Sequence, residues 1–299
     1  MAAPPLAPRT PRPPQAAGDS NLPARHARDR AMTALLAVVM AITLAVLAWV
    51  LIYVAGQGLK YLGPSFLTQT PPGNPSQAGG GYANGIIGSL IIVGIAALMS
   101  VPVGIAAAIA IAEYGGRFAG LTSFVTDVLV GVPSIVTGAF VYALWVTRFG
   151  FSGLAGSIAL AIIMLPLVIR TTAEMLRLVP VTLREASAAL GVTRARTIVS
   201  VVLPSARAGI TTGVMLAVAR AMGETAPLLL TTLGNSLFIV TNPTQRMSTL
   251  SLQIFGDAIT GFQEAQARAW AGALTLILIV LVLTIAARLI GRRLTVTRS

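Results

Sequence analysis

Long stretches without charge alternate along this chain with short stretches rich in arginine, glycine and proline. Residues 31–54 are 24 consecutive positions with no charged side chain. That is enough for about 36 Å of helix at ~1.5 Å per residue, one crossing of a hydrocarbon core with some tilt. Comparable apolar runs recur at 85–112, 118–147, 149–169, 208–232 and 269–287. The pattern predicts an all-α membrane chain with six transmembrane helices. Pro102, Pro133 and Pro166 fall inside these runs and predict kinks whose freed backbone groups are met by a neighbouring helix or, at Pro102, by Ser100.

The segments between the runs read differently from one another. Residues 1–30 carry seven prolines, five arginines and few large apolar side chains, the composition of a disordered tail. The apolar run after it is long enough to span and has no small-residue cleavage pattern, so a cleaved leader is not expected. Residues 31–55 are then the first transmembrane helix and 56–84 an external loop, with P-P-G-N-P at 71–75 and glycines at 79–81. Residues 85–290 form a core of five further helices, interrupted by a polar cytoplasmic loop over 171–206 and followed by a tail at 291–299. E-Y-G-G-R at 113–117 reads as a tight turn, and 234–268 as a second large external loop with an amphipathic patch from Met247 to Ile259.

Composition agrees, with 55% hydrophobic and 10% charged residues over 299 positions and a mean hydropathy of +0.83. The net charge of +12 does not point to nucleic acid, because the arginines gather at span ends. Under the six-span reading sixteen arginines fall on the side of the termini and of loop 171–206, against four basic residues on the other side. By the positive-inside rule the former side is cytoplasmic. There is no cysteine, and the one histidine, His26, lies in the N-terminal tail. An intramembrane protease, which needs a histidine or metal ligands within its spans, is excluded on that ground. The only lysine, Lys60, sits in G-L-K-Y, so the chain has no phosphate-binding loop of the G-x-x-x-x-G-K-[ST] kind. ATP hydrolysis has to come from another polypeptide.

The polar run R-E-A-S-A-A-L-G-V-T-R-A-R-T-I-V-S-V-V-L-P from Arg184 to Pro204 reads as a small-residue helix stopped by glycine, presented at the cytoplasmic face. Its spacing closely resembles the E-A-A-x3-G-x9-I-x-L-P coupling motif of ABC importer permeases, carried here by Glu185, Ala186, Ser187, Gly191, Leu203 and Pro204, with Ser187 and Val201 as departures of similar size. G-V-P-S-I-V at 131–136, M-L-P-L-V-I-R-T-T at 164–172 and A-R-A-M-G-E-T-A-P-L-L-L at 219–230 narrow the resemblance to the PstA family of phosphate-transport permeases. Permeases for sulfate or molybdate resemble the chain in R-x-x-G-E but commonly continue F-G-A, where Thr225, Ala226 and Pro227 stand here. The resemblance implies a MetI-like permease core, a second permease subunit (PstC-like), two copies of an ATPase subunit (PstB-like) that bind ATP and Mg, and an external phosphate-binding protein (PstS-like). No cofactor is implied on this chain, and its other partner is membrane lipid.

Three charged residues are candidates for the substrate path. Arg220 and Glu224 are four apart and, if helical, share a face. Arg220 lies roughly 18 Å into the fifth span, where an unpartnered charge costs on the order of 3 kcal/mol. A guanidinium matches phosphate oxygens, so Arg220 either lines an anion path with Glu224 orienting it, or forms an ion pair that only tolerates burial. Arg170 closes the fourth span beside Thr171 and Thr172 and either receives the departing anion or reaches to the interface. Asp127 and Glu113 are weaker candidates, the former as a partner for an arginine.

Overall fold

The structure, a computed structural model, describes the backbone of residues 22–296 and the side chains of residues 25–289. Its elements are α1 (Leu22–Gly58), α2 (Pro64–Thr68), α3 (Ala83–Ile109), α4 (Gly116–Gly131), α5 (Ser134–Val141), α6 (Thr147–Phe149), α7 (Gly153–Arg177), α8 (Val181–Ala189), α9 (Arg194–Thr197), α10 (Leu203–Gly223), α11 (Ala226–Thr231), α12 (Leu250–Ala258) and α13 (Gln263–Val296). Wide π-helical turns extend α3 through Ala110–Tyr114, join α5 to α6 through Tyr142–Val146, and join α9 to α10 through Ile198–Val202. Among the described residues there is no strand. Among the described residues five helices are long and apolar enough to cross a membrane, six if the bent pair α4 and α5–α6 counts as one span.

Residues up to Tyr53 form one compact unit and Val54 onward another. In the first, every described side chain is exposed. A helix apolar all round over the length of a span is suited to a lipid surrounding. The tail expected over 1–30 lies outside the described residues as far as 21. From Leu22 the chain is already helical, because after Pro23 the alanines and arginines of A-R-H-A-R-D-R are good helix formers.

In the second unit α3, α7, α10 and α13 pack together. Ile92, Val93 and Ala96 of α3 meet Leu160, Ala161, Met164 and Val168 of α7 and Ala217, Ala221 and Met222 of α10. Lipid tails are as apolar as these side chains, so association depends on close packing rather than on escape from water. Glycines provide it. A Cβ on Gly213 would lie 2.3 Å from Thr171 Oγ1, and one on Gly209 would lie 2.3 Å from Met175 Sδ. Four residues forward on α10 is four residues back on α7, so the two helices are antiparallel. Extending that register puts Arg220 level with about residue 164.

Several expected boundaries move. The third span is not straight: α4 and α5 meet at 103° across Val132 and Pro133, since proline disfavours helix at the residue before it and withholds an N–H. The fifth span ends at Gly223, where Glu224 turns extended (φ −71°, ψ 129°) and α11 follows as a separate short helix. Pro204 does not punctuate loop and span. The helix passes through it behind the wide Ile198–Val202 turn, whose i→i+5 pattern relieves the demand for a regular hydrogen bond there. At Pro102 the helix also continues, and Ser100 directs its hydroxyl to Met164 Sδ at 4.0 Å rather than to freed backbone. The last helix starts at Gln263 and reaches Val296, so most of the expected tail 291–299 is helical backbone and its last three residues lie outside the described residues.

Arg268, expected in a solvated loop, is 3% exposed. It donates to Gln77 O (2.7 Å) and Pro75 O (3.1 Å) and lies 3.5 Å from Asp257, which also accepts the Tyr82 hydroxyl at 2.7 Å. This cluster pins the proline-rich loop to α12 and α13. Burial, followed by the Asp257 hydrogen bond, raises the Tyr82 hydroxyl far above the ordinary phenol range. A proton held that tightly stabilises the fold below the unfolded-state value of ~10, and this contribution is lost as pH rises past it.

Two measurements test this packing. Gly213→Ala should destabilise the chain by about 1–3 kcal/mol, whereas Gly94→Ala, with open space around its Cβ, should leave thermal unfolding in detergent unchanged or slightly raised. Tyr82→Phe should lower stability by about 1–3 kcal/mol through the unmatched Asp257 carboxylate. Its tyrosinate absorbance between pH 9 and 11 should equal that of the unsubstituted chain, because Tyr82 stays protonated there.

Candidate anion path and coupling surface

A cleft of about 180 Å³ opens where α4, α5, α7 and α10 meet, lined by Arg170 and Arg220 together with Ser134, Thr137, Pro166 and apolar side chains. Drug-sized ligands occupy about 300–1,000 Å³, so the cleft suits a small ion. Each element reaches it for a local reason. The break at Pro133 ends α4 and starts α5 beside the cleft, and no side chain caps the first turn of α5, leaving its N–H groups as a weakly positive edge. Arg220 sits in the last turn of α10, where helix carbonyls favour a cation. From the α7–α10 register, Arg170 lies about six residues beyond the level of Arg220, roughly 9 Å along the axis.

Both guanidiniums have carboxylate partners. Arg170 pairs with Asp127 of α4, with both side chains about half exposed. Arg220 Nε lies 3.6 Å from Glu224 Oε1. The pair does not share one helical face as expected, because α10 stops before Glu224 and the contact closes across the helix end. Nor does Arg220 face the bundle interior: its side chain is 62% exposed. At 3.6 Å the contact is charge attraction without a hydrogen bond, so the guanidinium donors remain open to another acceptor. Glu224 is held through its main chain, its carbonyl accepting from Ser251 Oγ at 2.9 Å.

A larger hollow of about 410 Å³ lies at the other end of the bundle, lined by Pro71, Pro72, Asp257 and Arg268 among others. Arg268 there gives its two terminal nitrogens to Gln77 O and Pro75 O and already faces the Asp257 carboxylate, leaving only its buried Nε without a hydrogen bond, so the hollow is a poor anion site despite its size.

The coupling motif divides by face. Ser187 is buried, its hydroxyl 2.8 Å from Thr197 Oγ1, so it fastens α8 to α9 and is not part of an outward small-residue surface. Glu185 and Ala186 are exposed. Gly191 has φ 73°, its N–H bonds Ala188 O at 2.9 Å, and Val192 N–H bonds Ser187 O at 3.2 Å. These two bonds form a Schellman cap, which requires a left-handed residue and therefore favours glycine. Leu203 and Pro204 open α10 rather than close the loop.

Two contacts were missed in the sequence. Arg184, the residue before the motif glutamate, joins Glu113 through Nη2–Oε1 at 2.7 Å and Nε–Oε2 at 3.4 Å, and Arg194 stacks over Tyr114 at 5.1 Å. The available signal was E-Y directly before G-G at 113–116, a carboxylate and an aromatic ring at the end of an apolar run.

Residues 100–296 match the family model described as "Binding-protein-dependent transport system inner membrane component". The chain belongs to that family. It is a multi-pass permease of the inner-membrane type. It is 46% identical over 248 residues to the phosphate transport system permease protein PstA of Yersinia pestis, covering 82% of this chain and 83% of the relative. Identity to the PstA of Haemophilus influenzae is 42% over 268 residues, covering 89% and 94%. Among solved structures, a chain of the bacterial alginate ABC transporter aligns with TM-score 0.61 at 17% identity, covering 92% of this chain and 99% of that one. A chain of the inward-facing MetNI methionine ABC transporter aligns with TM-score 0.59 at 17% identity, covering 71% and 95%. The structural likenesses show a shared permease fold, as the MetI-like expectation required.

Ser187→Val, which removes the buried hydroxyl pair, should cost about 1–3 kcal/mol. It should make the 181–197 segment more sensitive to limited proteolysis while membrane insertion persists.

Proposed function

We propose that this chain is the membrane-spanning permease subunit of an ATP-driven importer that carries inorganic phosphate across the cytoplasmic membrane. The observation that carries this reading is the cleft lined by both Arg170 and Arg220, within a chain so similar to permeases named for phosphate transport. The arginine-rich end bearing α8 and α9 faces the cytoplasm, as the charge asymmetry requires, and six crossings put both termini there.

On this reading an anion enters the cleft, meets the open donors of Arg220 with Glu224 setting the guanidinium's orientation, and passes to Arg170 nearer the cytoplasm. Guanidiniums offer planar paired donors matched to phosphate oxygens. Glu185 and Ala186, exposed on α8, dock a partner ATPase that binds ATP and Mg. A second permease subunit completes the path along the open side of the cleft, and an external binding protein delivers phosphate.

The test is phosphate-stimulated ATP hydrolysis by this chain reconstituted with its partner permease, ATPase and binding protein. Stimulation by phosphate and not by sulfate or molybdate is expected; stimulation by another oxyanion alone overturns the substrate. Arg220→Gln should lower uptake at limiting phosphate by roughly tenfold or more, and normal uptake would relegate Arg220 to structure. Glu185→Lys should abolish uptake while the protein still inserts.

A further inference from the structure

Glu113 is 8% exposed at the end of an apolar helix, a costly position for a carboxylate unless its partner is fixed. The partner is fixed unusually well. Arg184 Nη2 reaches Glu113 Oε1 at 2.7 Å and Leu176 O at 2.8 Å, and its Nη1 reaches Val179 O at 2.6 Å. One guanidinium therefore joins three elements: the end of α3 through Glu113, the last turn of α7 through Leu176 O with Val179 just beyond it, and α8, on which Arg184 itself stands. Leu176 O is one of the carbonyls that a helix C-terminus leaves without an intrahelical donor, where a cation is favoured, and Val179 O belongs to the connector that follows.

The backbone around Glu113 is built for this contact. Residues 110–114 form a π-helical turn rather than a continuation of the α-helix, and the wider turn shifts the phase of side chains at its end. It leaves Glu113 buried and its neighbour Tyr114 exposed. Tyr114 presents its ring to Arg194, on the far side of the Gly191 cap. Adjacent residues of α3 thus hold both arms of the loop, Glu113 the α8 arm and Tyr114 the α9 arm, while Ser187 and Thr197 join the arms to each other.

We propose that Glu113 and Tyr114 form a clamp that fixes the coupling loop to the end of α3, with Arg184 as its junction, so that displacement of α8 moves α3 and α7 as one body. Glu113, Tyr114 and Arg184 are positioning residues: they act on the path through α7, which carries Arg170, without touching the anion. This rests on the importer reading for its consequence and on the geometry alone for the clamp.

The experiment uses the full reconstituted complex carrying Glu113→Gln, and Glu113→Gln with Tyr114→Leu, and reads two quantities. Amide hydrogen exchange across 181–189 should quicken by about tenfold in Glu113→Gln and further in the double variant, with 205–220 unchanged. ATP hydrolysed per phosphate imported should rise severalfold, because hydrolysis persists while the stroke is lost. Unchanged exchange at 181–189 overturns the clamp, as does a parallel fall of uptake and hydrolysis, which marks simple loss of folded complex. Since the native chain has no cysteine, Glu113→Cys with Arg184→Cys admits a short thiol-specific cross-linker, which should bring the ATP-to-phosphate ratio back down. If exchange quickens but the unsubstituted complex ignores phosphate, the clamp stands and the phosphate reading falls.

Discussion

An arginine in or near lipid needs a counter-charge, and the second unit is arranged around meeting that need. Among the described residues it holds four ion pairs; Arg170–Asp127, Arg184–Glu113 and Arg268–Asp257 each join separate elements, while Arg220–Glu224 closes across the end of α10. Arg268 ties the proline-rich loop to the last helix. Arg184 ties the coupling loop to the ends of α3 and α7. Desolvation of a paired charge offsets much of its attraction, so these contacts add little net stability. What they specify is which ends lie together, most firmly where a member is buried, since breaking the Arg184–Glu113 or Arg268–Asp257 pair strands Glu113 or Arg268 away from water.

The depth of the arginines is set by a different constraint, the close approach of α7 and α10. Gly209 and Gly213 admit Met175 and Thr171 at distances that any side chain would prevent. A slip by one residue would bring Ala208 or Thr212 into those positions. The register therefore follows from the absence of two Cβ atoms, and with it the offset of one helical turn and a half between Arg220 and Arg170. Placement of chemistry in this chain depends on where side chains are missing as much as on where they are charged.

Spans, loops and the coupling helix were legible because their signals are local: uninterrupted apolar runs, a glycine at the turn, arginines at one set of ends. The Gly191 stop follows from residues within one turn of it. Breaks within spans were harder to read. G-V-P-S at 131–134 announced a proline, but a kink and a bend of 103° look alike in sequence, since the angle depends on α11 packing against Gly138 through Pro227. The end of α10 at Gly223 was likewise hidden, because R-A-M-G-E-T-A-P has helical spacing and the break is fixed from outside by Ser251 on the Glu224 carbonyl. Ion pairs between residues 43 and 71 apart, Arg170 with Asp127 and Arg184 with Glu113, lie beyond any reading of one stretch. A carboxylate stranded in apolar sequence tells that a cation is near, but not which one.

In the importer we propose, the matched charges bear on how a cleft with two arginines would pass an anion instead of retaining it. Two bare guanidiniums in a low-dielectric site would hold a divalent anion strongly, and a path must bind weakly enough to release. Here Asp127 and Glu224 bring the cluster to neutrality before any anion arrives. An entering anion has to displace a carboxylate from each arginine in turn, and the carboxylate, still tethered nearby, is available to displace it again. In the importer we propose, such exchange favours throughput over affinity, which fits a division of labour in which a separate binding protein captures the substrate. The half-exposed Arg170–Asp127 pair and the long Arg220–Glu224 contact suit that role better than the bidentate Arg184–Glu113 pair, whose carboxylate is buried and whose geometry is that of a joint.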